Sequence, residues 1–391
     1  MNGQLDAGKE SLMKQLSRFV LIVASLMLLV ACGGTAPMTP TAIPSSDAPA
    51  ADGVDREQLA QELRVYNWTD YIDPALLDAF EQEYGVRVIV DNYDANEDMI
   101  AKVRAGGSGY DIVVPSDYAV ETMWRDDLLQ EINRTWLPNL GNLEPSLLDK
   151  YFDPDNRYSV PYMYGITGIA YHRSAFPDGI TSWAALFDPV QLERVRGQVS
   201  MLDDERETPG AALRYLGHSL NATDAAAIAE ATALLQAQTE YLAAYNSSDV
   251  NRKLSSGEYL IAHAWSGQAM QARNGLGDEF AGNPEIAFVI PNEGGAIWMD
   301  NMAILKESPN AYTAHVFIDF LMRPEIAAQN VSYIGYLTPN AAAMALLPDT
   351  IKALYAEGFA PDATVMQRLE WMVRDEQSTV FTELWTAVKG Q

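Results

Sequence analysis

From Leu63 onward, apolar and polar positions alternate in blocks that read strand, helix, strand. Leu63 to Tyr66 is a short apolar strand. Asp73-Pro74 then sets a capping carboxylate before a proline in the first helical turn, and Ala75 to Tyr84 carries an apolar stripe at helical spacing. Gly85 closes that helix, and Val86 to Val90 is the next strand. Asn96-Glu97-Asp98 opens a second helix to about Arg104, ended by Gly106-Gly107. Tyr110 to Val114 reads as a buried strand closed by Pro115, and a third helix follows near Ala119 to Asp127. Gly165 to Tyr171 reads as a strand crossing out of the first lobe. A mostly helical stretch covers Thr208 to Ala244, rich in alanine from Ala225 to Ala237. Further strands are expected at Tyr259 to Ala264, Ile286 to Ile290 and Met302 to Leu305. Helices are expected at Asn310 to Leu321, Pro324 to Val331 and Thr379 to Val388. The alternation predicts an α/β fold with a parallel sheet.

Ahead of this body, Phe19 to Ala31 reads FVLIVASLMLLVA, thirteen residues against the roughly 20 that a membrane-spanning helix needs. With Lys14 and Arg18 just upstream, it fits the apolar region of a secretion signal, and a start at Met13 would remove the acidic Asp6 and Glu10 from it. The run ends in Leu29-Val30-Ala31-Cys32-Gly33, which resembles a bacterial lipoprotein signal, with Cys32 as the lipid attachment point. Residues 1–31 are thus expected to be a signal peptide. Residues 32–61, with prolines at 37, 40, 44 and 49, are expected to be a flexible tether that cannot build a core.

Composition narrows the function classes. The 391 residues carry 53 Asp plus Glu against 26 Lys plus Arg, a net charge of -27 that becomes -28 after cleavage before Cys32. A composition that is 48% hydrophobic is globular, and this acidity repels nucleic acid and anionic surfaces. A lone cysteine excludes a disulfide within the chain and any Cys/His zinc pattern. The four histidines, His172, His218, His263 and His315, lack close ligand spacing and read as packed or surface residues. No GxxxxGK[ST], GxGxxG after the first strand, or GxSxG occurs.

Open α/β sheets bind ligands beyond the carboxyl ends of their strands. Those positions here read Asn67-Trp68-Thr69-Asp70-Tyr71, Pro115-Ser116-Asp117-Tyr118, Ala264-Trp265-Ser266-Gly267 and Gly294-Gly295-Ala296-Ile297-Trp298-Met299-Asp300. Each offers an aromatic ring, and most pair it with a carboxylate. An organic polyamine wants that set: rings attract ammonium groups and pack on methylenes, while carboxylates accept charge-assisted hydrogen bonds. Taken one at a time, these tryptophans also fit core packing, and Trp124, Trp136, Trp183 and Trp385 are expected to be core or edge residues. Spacing alone leaves sugar stacking open as well.

The runs YNWTDYIDPALLDAFEQEYGVRV, YDIVVPSDYAVETM, YSVPYMYGITGIAY, TSWAALF, GGAIWMD and IGYLTPN, in order from about Leu63 to Gly390, resemble the bacterial spermidine/putrescine-binding proteins. These are substrate-binding components of ABC transporters. The resemblance implies a two-lobed type II periplasmic-binding-protein fold with a hinge and an interlobe ligand cleft. It places residues 62–168 plus 298–346 in lobe 1 and residues 169–297 plus 347–391 in lobe 2. By resemblance, Trp68 and Tyr71 form an aromatic wall and Asp70 meets an amine. Ser116 and Tyr118 supply a hydroxyl and a ring. Asp204 and Glu207, in MLDDERET, receive one end of the polyamine, and Trp265 stacks on its methylenes. Trp298 and Asp300 add a ring and the carboxylate that grips an ammonium, and Tyr336 is a late cleft aromatic. The family's spermidine binders carry a glutamine shortly after a C-terminal tryptophan. Here Leu369-Glu370-Trp371-Met372-Val373-Arg374 has none, so spermidine and putrescine both stay open.

The expected function is a lipid-anchored receptor on the extracytoplasmic face of the membrane or in the periplasm. It would capture polyamine and deliver it to an ABC transporter permease, with no catalytic residue, metal or cofactor. The alternatives are a same-fold receptor for another cationic or polar solute, an exported enzyme using Asp204 and Glu207 as acid and base, and an adhesive lipoprotein without a ligand.

Overall fold

The computed structural model describes residues 53–374 and 376–390. The expected signal peptide, Cys32 and the tether up to residue 52 lie outside the described residues. The tether expected to run to residue 61 gives way to docked chain before that: the Asp55 amide donates to the Tyr312 hydroxyl at 2.7 Å and the Ala60 amide to Thr313 Oγ1 at 2.8 Å.

In chain order the elements that position the site begin with strand β1 (Glu62–Trp68), helix α1 (Pro74–Tyr84), β2 (Arg87–Tyr93), α2 (Asn96–Arg104), β3 (Ile112–Val113) and α3 (Asp117–Arg125). Next come β4 (Ser159–His172), β5 (Val199–Met201), α4 (Glu207–Tyr215), α5 (Ala225–Gln238), β6 (Leu242–Tyr245), α6 (Val250–Ser256) and β7 (Ile261–Trp265). The series ends with α7 (Ser266–Asn274), a small hairpin of β8 (Gly275–Leu276) and β9 (Phe280–Ala281), β10 (Ile286–Val289), β11 (Gly295–Ile304), α8 (Ala311–Leu321), α9 (Pro324–Ile334), β12 (Leu369–Trp371) and α10 (Thr379–Lys389).

Local signals take effect where they stand in the chain. Asp73 Oδ1 accepts the Ala75 amide at 2.9 Å ahead of Pro74, and Gly85 ends α1 in the left-handed conformation. Two expectations change. The sheet is mixed, not parallel: β1 pairs in parallel with β2 and β3, and β5 with β6 and β7, but β11 and β4 run antiparallel to their main neighbours. The expected helical stretch to Ala244 ends early, because Leu242–Tyr245 forms an edge strand on β5.

The strand order β2-β1-β3-β11-β4-β7-β5-β6 divides at the two long strands. Over residues 159–166, β4 pairs with β11, and over 167–171 it pairs with β7. The same strand therefore leaves one half of the sheet and enters the other. Each half has helices on both faces and apolar clusters on both sides. Leu63, Val65, Ile112 and Phe317 lie on one side of the first half, with Tyr66, Met99, Val113 and Met299 on the other. Ile169, Val199 and Ile261 lie on one side of the second half, with Ala170, Ala262 and Phe288 on the other. Burial on both faces is why these strands read as near-continuous apolar runs. The fold is α/β and two-lobed, of the type II periplasmic-binding-protein kind, and β4 and β11 carry the chain between its halves.

Candidate functional site

A cavity of about 380 Å³ opens where the strands end. All eleven cleft residues expected from the sequence line it: Trp68, Asp70, Tyr71, Ser116, Tyr118, Asp204, Glu207, Trp265, Trp298, Asp300 and Tyr336. They come from separate segments of the chain, most of them following or ending a strand, or opening a helix.

Asp300 sits on β11 at a register break between Asp300 and Asn301, an irregularity of the kind that re-aims a side chain. Its Oδ2 accepts the Tyr71 hydroxyl at 2.7 Å and its Oδ1 the Ser116 hydroxyl at 2.6 Å. Burial pushes its carboxyl up to about 6, against the two hydrogen bonds that favour the ionised form. Glu207 opens α4. Its Oε1 accepts Thr167 Oγ1 and the Trp265 indole N–H, each at 2.9 Å. Burial, with the neighbouring Asp204 charge adding to it, raises this carboxyl to about 8. Asp204 Oδ1 accepts the Arg206 and Glu207 amides at 2.7 and 2.8 Å, so it holds the turn that leads into α4 as well as facing the cavity.

Sequence reasoning passed over Asp117, which lies between two residues it did single out. Asp117 is 1% exposed and lines the cavity. Its Oδ1 accepts the Tyr118 amide at 2.7 Å, while its Oδ2 is buried with no hydrogen-bond partner among the described residues. Burial raises its carboxyl to about 7. The signal was in the chain: a carboxylate directly after a buried strand, inside Pro115-Ser116-Asp117-Tyr118. Asn96 was also missed. Its amide nitrogen donates to the Ser116 and Tyr118 hydroxyls at 3.0 and 2.9 Å, tying the two together.

The aromatic wall is continuous. Tyr71 and Tyr336 have ring centroids 4.9 Å apart, Tyr336 and Trp298 5.6 Å, and Trp298 and Trp265 6.4 Å, all near edge-to-face. Two glycines make room for it. A Cβ on Gly165 would fall 2.2 Å from Trp298 Cζ2, and one on Gly267 2.3 Å from Tyr336 Cδ2. Trp68 is held at the other side by its indole N–H, which donates to the Val114 carbonyl at 2.9 Å. Of the tryptophans expected at core or edge positions, Trp183 is 1% exposed and Trp136 lies at the surface, whereas Trp385 reaches the cavity lining. Three of the four histidines are buried, and His218 is partly exposed.

Not every cleft carboxylate is free. Asp70 takes a left-handed turn conformation (φ 56°) and pairs at 3.1 Å with Arg252 of α6, in the other half of the molecule. By contrast, Asp117, Glu207 and Asp300 accept hydrogen bonds only from neutral donors among the described residues. Three buried carboxyls held above their ordinary range make a site that a cation would relieve, because its charge restores their ionised form.

A match to the family of bacterial extracellular solute-binding proteins spans residues 75–356. The putrescine/cadaverine-binding protein of Pseudomonas aeruginosa is 39% identical over 86% of this chain and 96% of its own length. The spermidine/putrescine-binding periplasmic protein of Escherichia coli K12 is 40% identical over 84% of this chain and 91% of its own. Among solved structures, the spermidine/putrescine ABC transporter substrate-binding protein PotD from Streptococcus pneumoniae superposes with a TM-score of 0.72 at 33% identity. That match covers 85% of this chain and 99% of that one. Matched along most of its length by a family and by relatives that share its fold, the chain belongs to the bacterial extracellular solute-binding proteins.

Proposed function

We propose that this protein is an extracytoplasmic polyamine receptor that captures spermidine or putrescine and delivers it to an ABC transporter permease. The observation that carries the reading is the set of three buried carboxylates, Asp117, Glu207 and Asp300, that accept hydrogen bonds only from neutral donors among the described residues, beside an unbroken aromatic wall. The names of the relatives agree with it. In this reading Asp300 receives one ammonium, with Tyr71 and Ser116 holding its oxygens in place. Glu207 and Asp204 receive a second, and the methylenes between them pack against Trp265, Trp298 and Tyr336. Trp68 and Tyr118 complete the walls, and Asp70 acts mainly by joining the two halves through Arg252. A neutral sugar stacks on the same rings but brings no charge to restore the ionised form of the buried carboxyls.

The work done on the ligand is binding alone. Charge-assisted hydrogen bonds draw carboxylates from both halves toward one cation, so ligand favours the closed arrangement, with lobe 1 as residues 62–168 plus 298–346 and lobe 2 as 169–297 plus 347–391. No bond need form or break, and Asp204, occupied by two backbone amides, is a poor general base. Cys32 carries the lipid that keeps the receptor at the membrane.

Calorimetric titration of the ligand-stripped protein with spermidine, putrescine, cadaverine, arginine and a neutral sugar tests this. Saturable binding of the amines is expected. A response to the sugar alone, or to none of them, ends the polyamine reading.

A further inference from the structure

One cation of the protein's own stands inside the cleft. Arg374, just after β12, lines the cavity with its side chain 22% exposed. Its guanidinium lies 3.8 Å from the centre of the Tyr118 ring and pairs with Glu97 at 2.6 Å and Glu205 at 3.6 Å. Glu97 opens α2 in the first half and Glu205 belongs to the loop before α4 in the second, so one side chain spans both. The other arginine of the lining, Arg206, is 2% exposed, with its guanidinium donating to the Val373 carbonyl and Asn221 and Phe381 beneath it. Arg374 is therefore the resident positive charge that a ligand meets.

We propose that Arg374 takes the place of one ligand ammonium at the Asp204–Glu207 end of the cleft, and so selects a diamine over the longer triamine spermidine. This inference rests on the polyamine reading above. The same end is closed by Met372, whose thioether is at most a weak acceptor for an ammonium. A third ammonium carried into that end would face a guanidinium already stacked on Tyr118 and paired to two glutamates. Like charges close together in a partly buried site repel strongly, and the Arg374 charge already favours the ionised form of Asp117, the nearby carboxylate with a bare oxygen. At the Asp300 end the carboxylate is bound only by hydroxyls among the described residues, so an ammonium there meets no competitor. A diamine fits this division: one ammonium at Asp300, the other at the inner face of Glu207, and the arginine beyond.

The test is the ratio of spermidine to putrescine dissociation constants, by calorimetry, for the wild-type protein, Arg374→Gln and Arg374→Lys. The wild type is expected to favour putrescine at least tenfold. Arg374→Gln should shrink that preference about tenfold, mostly by tighter spermidine binding, whereas Arg374→Lys should keep it within threefold. Loss of a merely structural contact would weaken both amines alike in both variants and leave the ratio unchanged. If amines bind but the wild type prefers spermidine, or the ratio stays within twofold in Arg374→Gln, this inference falls and the polyamine reading stands. If no amine binds the wild type, both fall. A wild-type preference for spermidine overturns the inference even if a variant fails to fold.

Discussion

Asp300 and Glu207 are both buried, both accept two side-chain hydrogen bonds and both are held above the ordinary carboxylate range, yet they are built differently. Asp300 has one hydroxyl on each oxygen, so the whole group is fixed from two directions. Glu207 takes both of its donors on Oε1, has the Asp204 charge beside it and lies toward the end where Arg374 stands. A carboxylate gripped on both oxygens is prearranged for a single ammonium. One bound through a single oxygen, among other charges, receives a cation whose identity its neighbours help to set. Two acids of similar burial therefore serve different parts of recognition.

The largest effect is expected at Asp300. Asp300→Asn should weaken polyamine binding at least tenfold, about 1.4 kcal/mol or more, in a protein whose thermal unfolding shows it still folded. Glu207→Gln should cost less, because Asp204 remains to meet the same ammonium. Equal losses in calorimetry, or a larger one at Glu207, would reverse the assignment of the two roles.

A change of pH acts on all three buried acids at once, with a smaller effect. Asp300, Asp117 and Glu207, raised to about 6, 7 and 8, hold protons in the empty folded protein that the unfolded chain sheds near pH 4. Stability of the empty protein should thus fall as pH climbs from about 4 through 8. A bound cation favours the ionised carboxylates, so affinity should rise severalfold between about pH 5.5 and 8, with protons released on binding. Titrations in buffers of different ionisation enthalpy measure that release. Uptake of protons, or a flat profile, would contradict these charge states.

The smallest effect belongs to Asp70. Its carboxylate is already paired with Arg252, so Asp70→Asn is expected to change affinity about threefold or less. A loss as large as that of Asp300→Asn would mean that Asp70 meets the ligand directly.

Much of the local structure was legible because its causes are local. Asp73 ahead of Pro74, Gly85 after Tyr84 and the apolar runs of β1 and β10 each carry their own physical reason within a few residues. What misled was long range. Leu242–Tyr245 looks like a continuation of a helix until β5 offers it an edge, and β11 looks short until β4 and β12 extend its pairing. In the cleft, ring-plus-carboxylate signals at strand ends marked the walls, and family resemblance added Asp204, Glu207 and Tyr336. Asp117 and Asn96 escaped because a buried acid or amide has the same letter whether it faces a core, solvent or a ligand. Gly165 and Gly267 escaped because nothing in their neighbours says that an indole or a phenol will lie against them.

By itself the sequence determined the acidic, globular class, the α/β alternation and the strand-end tryptophans and tyrosines. These follow from composition, periodicity and short spacings. Only the tertiary structure decided which carboxylates remain without a cation and which are taken, because that depends on residues far apart in the chain. Arg252 reaches Asp70 across 182 positions and Arg374 reaches Glu97 across 277. Charge is written in the residues; whether it stays free for a ligand is decided by what the fold brings within a few ångströms.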